Sequence, residues 1–465
     1  MNLRRREFLR SISAGSGALA LPALLKPDGA QYANELKATG NLRAPPLSGI
    51  EHVVVVMMEN RSFDHFLGWL PGADGRQNAT YLDKNNVGHP TWDLAPDYEG
   101  CGYHDPDHSY GGSRVAYNGG NMDGFLRAGN NDLFSIGYYT ERDLPFFSAL
   151  ARNFLVCDRS FASILGPTFA NRMFLWAAQT DRLDDSITLS KLPTIFDALS
   201  NAGISHRYYF NNVPYTALWG FKYFWSTSLF GDFLSDAAAG KLPAVSFLDP
   251  NFTVLDDGTG NDDHPHADIR NGDAFLSQIY RAVSRGPAWQ KTVLIVTFDE
   301  WGGFFEHIAP PRVTPANGID TDQVNGQVLL GFRIPTVIVS PFTVNTSGTP
   351  QISSTVFDHT SVLKLIEWRW GLRALTPRDA SPQIGNPASA MSFGSPVAAA
   401  PDLPQPKTVT ATPCFQGGIF SANAPLPGAS ATGGSTLTEW GALASQPHVQ
   451  QWLEHPRFRN QIQAR

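Results

Sequence analysis

Two runs of apolar, mostly β-branched residues each stop at a turn that carries carboxylates, and this pairing constrains the fold more than any other feature. Residues 53–58 lead into Glu59-Asn60-Arg61-Ser62-Phe63-Asp64-His65, and residues 293–297 lead through Phe298 into Asp299-Glu300-Trp301-Gly302-Gly303. Short apolar runs of this kind read as buried strands of a parallel sheet. Ligands of open α/β sheets sit outside the carboxyl ends of such strands. The pattern therefore predicts an α/β chain in which Glu59, Asn60, Asp299 and Glu300 gather at one rim. Their oxygens suit a divalent cation, and a cation beside a hydroxyl or water is a common source of a nucleophile for phosphate esters. The plainer alternative for each turn is helix capping by Asn60 or Ser62, or a solvated strand end.

The chain has 465 residues and is 42% hydrophobic, enough for one large α/β domain with insertions or for two domains. Its formal charge of −7 gives no general electrostatic reason to bind nucleic acid. At the N-terminus, Arg4-Arg5-Arg6-Glu7-Phe8-Leu9-Arg10 precedes a small-residue apolar stretch over 12–25, which fits a twin-arginine signal rather than a spanning helix. Cleavage is expected near Ala30 or Ala33, leaving a mature chain with no transmembrane segment. Cys101, Cys157 and Cys414 allow one disulfide with one thiol left over, and no zinc-finger spacing is present.

Further along, residues 72–120 show neither helical nor strand period and read as a long functional loop. Helical spacing covers 143–156, 273–284 and 360–370, a capped helix is expected around 193–199, and strands around 205–210, 244–248, 291–298 and 334–340. Gly166-Pro167-Thr168-Phe169-Ala170-Asn171-Arg172 precedes an apolar helix at 173–178 and offers a hydroxyl at a helix N-terminus. Thr168 is a nucleophile only if deprotonated, and otherwise a turn hydroxyl that caps the helix. Asn171 and Arg172, one turn on, would hold phosphate oxygens. Several histidines adjoin acids, as in His104-Asp105-Pro106-Asp107-His108, Asp262-Asp263-His264-Pro265-His266 and Glu306-His307; His108 and His264 have the richest contexts for proton transfer. Trp219, Phe221, Tyr223, Phe224 and Trp225 form a candidate aromatic lip for a lipid, or else part of the core.

Together the Glu59 to His65 motif, Met122-Asp123-Gly124-Phe125, the Gly166 to Arg172 turn, Asp262-Asp263-His264-Pro265, and Thr297-Phe298-Asp299-Glu300-Trp301-Gly302-Gly303-Phe304-Phe305-Glu306-His307 resemble the phosphoesterase family of bacterial phospholipases C, plant non-specific phospholipases C and acid phosphatase A. The resemblance implies an alkaline-phosphatase-like three-layer sandwich, with a central, mostly parallel sheet flanked by helices. It implies a divalent metal ion (calcium, magnesium, manganese or zinc) held by Glu59, Asn60, Asp299 and Glu300, with Thr168 as ligand and nucleophile. Asn171, Arg172 and His307 would border the phosphate, while His108 and His264 would contact it or protonate the leaving oxygen. Ala170, Glu306 and Trp301 depart from residues common in the family, and none of the three is a proposed ligand.

The expected organisation is a signal peptide over 1–33, a catalytic domain over 48–373, and a Pro/Ala/Ser/Gly-rich extension over 374–465 that wraps the core. The expected function is an exported, periplasmic or secreted phospholipase C that uses the twin-arginine export machinery and acts on a phospholipid. Two alternatives stand beside it: a phosphatase of small phosphate monoesters, and a non-catalytic periplasmic binding protein.

Overall fold

A computed structural model describes residues 45–255, 258–411, 414 and 437–462. The twin-arginine segment, Ala30 and Ala33 lie outside the described residues.

Eight strands form the central sheet. They are β1 His52–Met58, β2 Leu155–Cys157, β3 His206–Phe210, β4 Thr227–Leu229, β5 Val245–Leu248, β6 Thr292–Phe298, β7 Val337–Val339 and β8 Gln351–Ser353. Their spatial order is β8-β2-β7-β6-β1-β5-β3-β4, with only β7 antiparallel to the rest. The two apolar runs thus become the adjacent central strands β1 and β6. Their register, from His52 opposite Thr292 to Met58 opposite Phe298, brings Glu59 and Asp299 out side by side.

Alternation along β1 builds three layers. Val53, Val55 and Met57 face one helical layer, Val54, Val56 and Met58 the other. The second layer includes α1 (Pro145–Asn153); the first includes α2 (Thr168–Ala177) and α3 (Ile195–Asn201); the second again has α4 (Ile269–Arg285), and the first α5 (His359–Trp370). Two short C-terminal helices, α6 (Glu439–Ala444) and α7 (Pro447–Glu454), join the first layer through Trp440, Leu443, Val449 and Trp452.

The helix expected over 143–156 ends at Asn153. Phe154 is already extended, at φ −135°, because Phe154 and Val156 bury on one face of the sheet and Leu155 and Cys157 on the other. The aromatic lip is mostly core: Trp219, Tyr223 and Phe224 are buried, and only Phe221 and Trp225 are exposed. Past residue 374 the chain first packs on α5, where Lys364 donates to the carbonyls of Ser381 and Ile384, and then passes α4 and the turn after it, where Ser277, Tyr280 and Trp289 donate to the carbonyls of Pro404, Pro401 and Ala398. A Cys101–Cys414 disulfide ties this segment to the loop that leads to His108, and Cys157 is a buried thiol. Among the described residues no helix is long and apolar enough to cross a membrane.

Candidate active site

The ends of β1 and β6 and the first turn of α2 meet at one buried point. Asn60 turns out of β1 in the left-handed region, at φ 55°, a conformation an Asn tolerates better than most side chains. Its backbone N–H donates to Asp299 Oδ1 at 3.0 Å, and its side-chain amide donates to Thr168 Oγ1 at 3.2 Å and to Glu300 Oε1. After Glu300 the chain needs glycine. Gly302 has φ +64°, and a Cβ there would lie 2.0 Å from the Asn60 carbonyl oxygen; a Cβ on Gly303 would lie 2.4 Å from Pro106 Cβ, so that glycine admits the loop that carries His108.

Thr168 is fully buried and opens α2, whose N-cap is Pro167. Its hydroxyl is therefore not the cap that the sequence left open as an alternative. Arg172 follows four residues later on the same helical face. The guanidinium is 1% exposed and donates to Glu59 Oε1 at 2.6 and 2.9 Å, Asp249 Oδ1 at 2.9 Å and Asp299 Oδ2 at 3.2 Å.

The electrostatics are those of excess buried negative charge. Burial and the neighbouring Asp299 hold Glu59 well above the usual carboxylate range, despite Arg172. Burial also pushes Glu300 up to about 8 against the pull of His108, and Asp185 to about 6. Burial opposes a charge on His108, but Glu300, Asp105, Glu439 and Asp185 outweigh it and raise the ring to about 10. One guanidinium and one imidazolium do not balance this set. The amide oxygen of Asn60 is buried without a hydrogen-bond partner. An orphaned oxygen amid surplus carboxylates and a hydroxyl fits a hard divalent cation.

His108 Nδ1 donates to the Pro106 carbonyl at 2.8 Å, and its ring lies edge-on to that of His264, with centroids 6.3 Å apart. His264 Nε2 is 3.8 Å from Asp105 Oδ2. Arg61 holds the His264 loop by donating to the carbonyls of Asp263 and His264 at 2.6 and 3.0 Å. A cavity of about 410 Å³ opens beside Pro167, lined by Asp105, Asp107, His108, Tyr110, Asp184 and Asp185 among others.

Three expected phosphate neighbours have other partners. The Asn171 amide donates to the Gly166 carbonyl at 2.7 Å and accepts from the Ile164 N–H at 3.0 Å, so it shapes the turn that presents Thr168. Arg172 is committed to the acids above. His307 uses both ring nitrogens, Nδ1 toward Asp64 at 2.5 Å and Nε2 toward Asp74 at 3.1 Å. Asp64, Glu306 and His307 are close enough to hold a metal ion, but Arg333 already donates to Asp64 at 3.2 Å and to Glu306 at 2.7 Å.

Residues 50–373 match the Phosphoesterase family. Phospholipase C A of Mycobacterium tuberculosis is 32% identical over 468 residues, covering 85% of this chain and 86% of its own. Non-specific phospholipase C6 of Arabidopsis thaliana is 33% identical over 371 residues, covering 72% of this chain and 71% of its own. The chain belongs to the phosphoesterase family. It is thus a hydrolase of phosphoester bonds, on an α/β three-layer fold. A solved protein of the alkaline phosphatase superfamily from Vibrio parahaemolyticus is 12% identical with a TM-score of 0.35, covering 76% of this chain and 78% of its own.

The phosphoesterase site also contains residues to which sequence reasoning assigned no role. Asp249 ends β5 and receives Arg172; its position at a strand end was the available signal. Asp185 accepts the Phe169 N–H at 2.7 Å from a loop with no period. Glu439 and Trp440 come from the C-terminal extension, beyond the residues that match the family.

Proposed function

We propose that this phosphoesterase is a metal-dependent phospholipase C, exported by the twin-arginine route, that cleaves the phosphodiester of a phospholipid with Thr168 as nucleophile. The observation that carries the reading is the Thr168 hydroxyl, buried at the start of α2, free of a capping role and held by Asn60 against Asp299 and Glu300. A divalent cation bound by Asn60, Asp299 and Glu300, with Glu59 alongside, would lower the pKa of this hydroxyl and offset phosphate charge. Thr168 Oγ attacks phosphorus, the bond to the diacylglycerol oxygen breaks, and a Thr168 phosphodiester that keeps the headgroup forms. His108 has Nδ1 fixed on the Pro106 carbonyl, which leaves Nε2 to give its proton to the departing oxygen. Water then attacks this phosphorus, the bond to Thr168 Oγ breaks to release the headgroup phosphate, and the proton of the water goes to that ring. His264 lines the same side. Arg172 acts by fixing the orientation of Glu59 and Asp299, and Asn171 by shaping the turn. The signal motif Arg4-Arg5-Arg6 supports a periplasmic or secreted location.

The test is to incubate the purified mature protein with phosphatidylcholine and, separately, with an aryl phosphate monoester, each with and without chelator. Diacylglycerol that disappears with chelator is the expected result. Inorganic phosphate from the monoester alone would make the enzyme an acid-phosphatase-like monoesterase, and no product from either would favour a binding role.

A further inference from the structure

Glu59 is held from a second direction, by the far end of the chain. Arg172 occupies its Oε1, while the indole N–H of Trp440, on α6, donates to Oε2 at 2.7 Å. We infer that Trp440 is a positioning residue for Glu59, so that the C-terminal segment is an integral part of the active site. The inference rests on the reading that Glu59 belongs to the ion-binding group.

The indole has one seat. It is fully buried, stacked on Phe252 with centroids 3.4 Å apart and planes 7° apart, and edge-on to Phe169, the neighbour of Thr168, at 5.0 Å. The Arg172 guanidinium lies 5.0 Å from its ring, so one aromatic side chain touches Glu59, the other partner of that carboxylate and the helix that carries Thr168. The helix that delivers it is fastened. Thr438 caps α6 at the Gly441 N–H and donates to the Thr253 carbonyl at 2.6 Å, and a Cβ on Gly441 would lie 2.1 Å from the Val254 carbonyl oxygen. Glu439, next to Trp440, has a buried Oε1 without a hydrogen-bond partner, and its charge acts on Glu59 and His108. A carboxylate with both oxygens held cannot rotate away from the point where Asn60, Asp299 and Glu300 converge. Hydrogen bonds of this outer kind orient metal ligands, and their loss typically costs about 10–100-fold in affinity or activity.

The test uses the full mature chain with its disulfide intact. Trp440→Phe keeps the stack on Phe252 and removes only the N–H. Mn²⁺ and Ca²⁺ are titrated separately by calorimetry into wild type, Trp440→Phe, Glu59→Gln and the double variant, alongside kcat and KM for an aryl phosphate and for phosphatidylcholine. The expected result is that Trp440→Phe binds at least one ion about tenfold more weakly, lowers kcat with KM unchanged, and adds little further loss on top of Glu59→Gln. Ion affinity equal to wild type, or losses that simply add, would overturn the inference, as would a wild type that binds neither ion. If wild type binds an ion yet hydrolyses neither substrate, the functional reading fails while the affinities still decide the role of Trp440. Should Trp440→Phe fail to fold, the affinity of Glu59→Gln is compared with that of Trp440→Tyr, which keeps an aromatic ring in the stack; the inference requires both to be weakened alike.

Discussion

The side-chain amide of Asn60 reaches the hydroxyl of Thr168 at 3.2 Å and thereby joins the end of β1 to the first turn of α2 across 108 positions of chain. Each partner is presented by a different backbone device. Asn60 is turned inward by its left-handed conformation, and Thr168 is freed from capping because Pro167 takes the N-cap position. The Thr168 hydroxyl therefore sits at the positive end of a helix dipole with a carboxylate-rich strand rim facing it, a place suited to a phosphate flanked by a cation.

Thr168→Ala should lower turnover at least about a thousandfold, since nothing else here supplies an alkoxide at that point. Metal content measured by elemental analysis should stay near wild type, because the acids remain. Thr168→Ser should retain substantial activity. Near-normal turnover by the alanine variant would assign the attack to another group.

His108 should matter in proportion to how badly the leaving group needs a proton. A diacylglycerol alkoxide is a poor leaving group, and general acid catalysis typically contributes about 10²–10⁴-fold. His108→Ala should therefore cut phosphatidylcholine hydrolysis within that range, while a nitrophenyl ester, whose phenolate leaves unprotonated, loses far less. Equal losses on both substrates would make the ring a binding group instead.

The central strands were legible because a parallel sheet buried on both faces leaves continuous apolar runs, and their carboxylate ends marked the rim. The edge strands β4 and β8 were not: each has three residues, too few to display a period. Thr168, Asn60, Asp299 and Glu300 do meet where the two strand ends suggested. What the sequence hid was how charge is shared. Arg172 looked like a phosphate ligand because it follows Thr168 by one turn, yet burial among Glu59, Asp249 and Asp299 commits it to those acids. Trp440 lies 381 positions from Glu59 in a Pro/Ala/Ser/Gly-rich extension, whose composition does not mark which residue reaches a distant site.

Arg172→Met should be among the most destabilising single changes in the chain. It leaves three buried carboxylates without their shared cation, and breaking a buried ion pair this way costs about 3–5 kcal/mol. Without Arg172, the folded-state carboxyls of Glu59 and Asp249, already raised by burial, rise further above their unfolded values. The variant should therefore lose more stability as pH rises, and regain part of it in acid. Chemical denaturation at pH 5 and pH 8 checks both sign and size; a uniform loss at the two values would mean that packing rather than charge is at stake.

Asp273 offers a pH test away from the reaction. From α4 it accepts the N–H groups of Phe146 at 3.0 Å and Phe147 at 2.7 Å, and so caps the start of α1, where Leu144 provides no side-chain cap. Burial raises its carboxyl from 3.8 to about 7. Between those values the folded protein binds the proton more tightly than the unfolded chain, so the stabilisation due to the proton is complete below about pH 4 and fades as pH rises toward 7. Asp273→Asn has no such proton to lose. The Tm of wild type relative to this variant should therefore fall from pH 4 to pH 7 and level off above it. Asp273→Ala, which leaves the two N–H groups unpaired, should cost about 1–3 kcal/mol across the range. A wild-type minus Asp273→Asn difference that stays flat from pH 4 to pH 8 would show that the carboxyl titrates normally despite its burial.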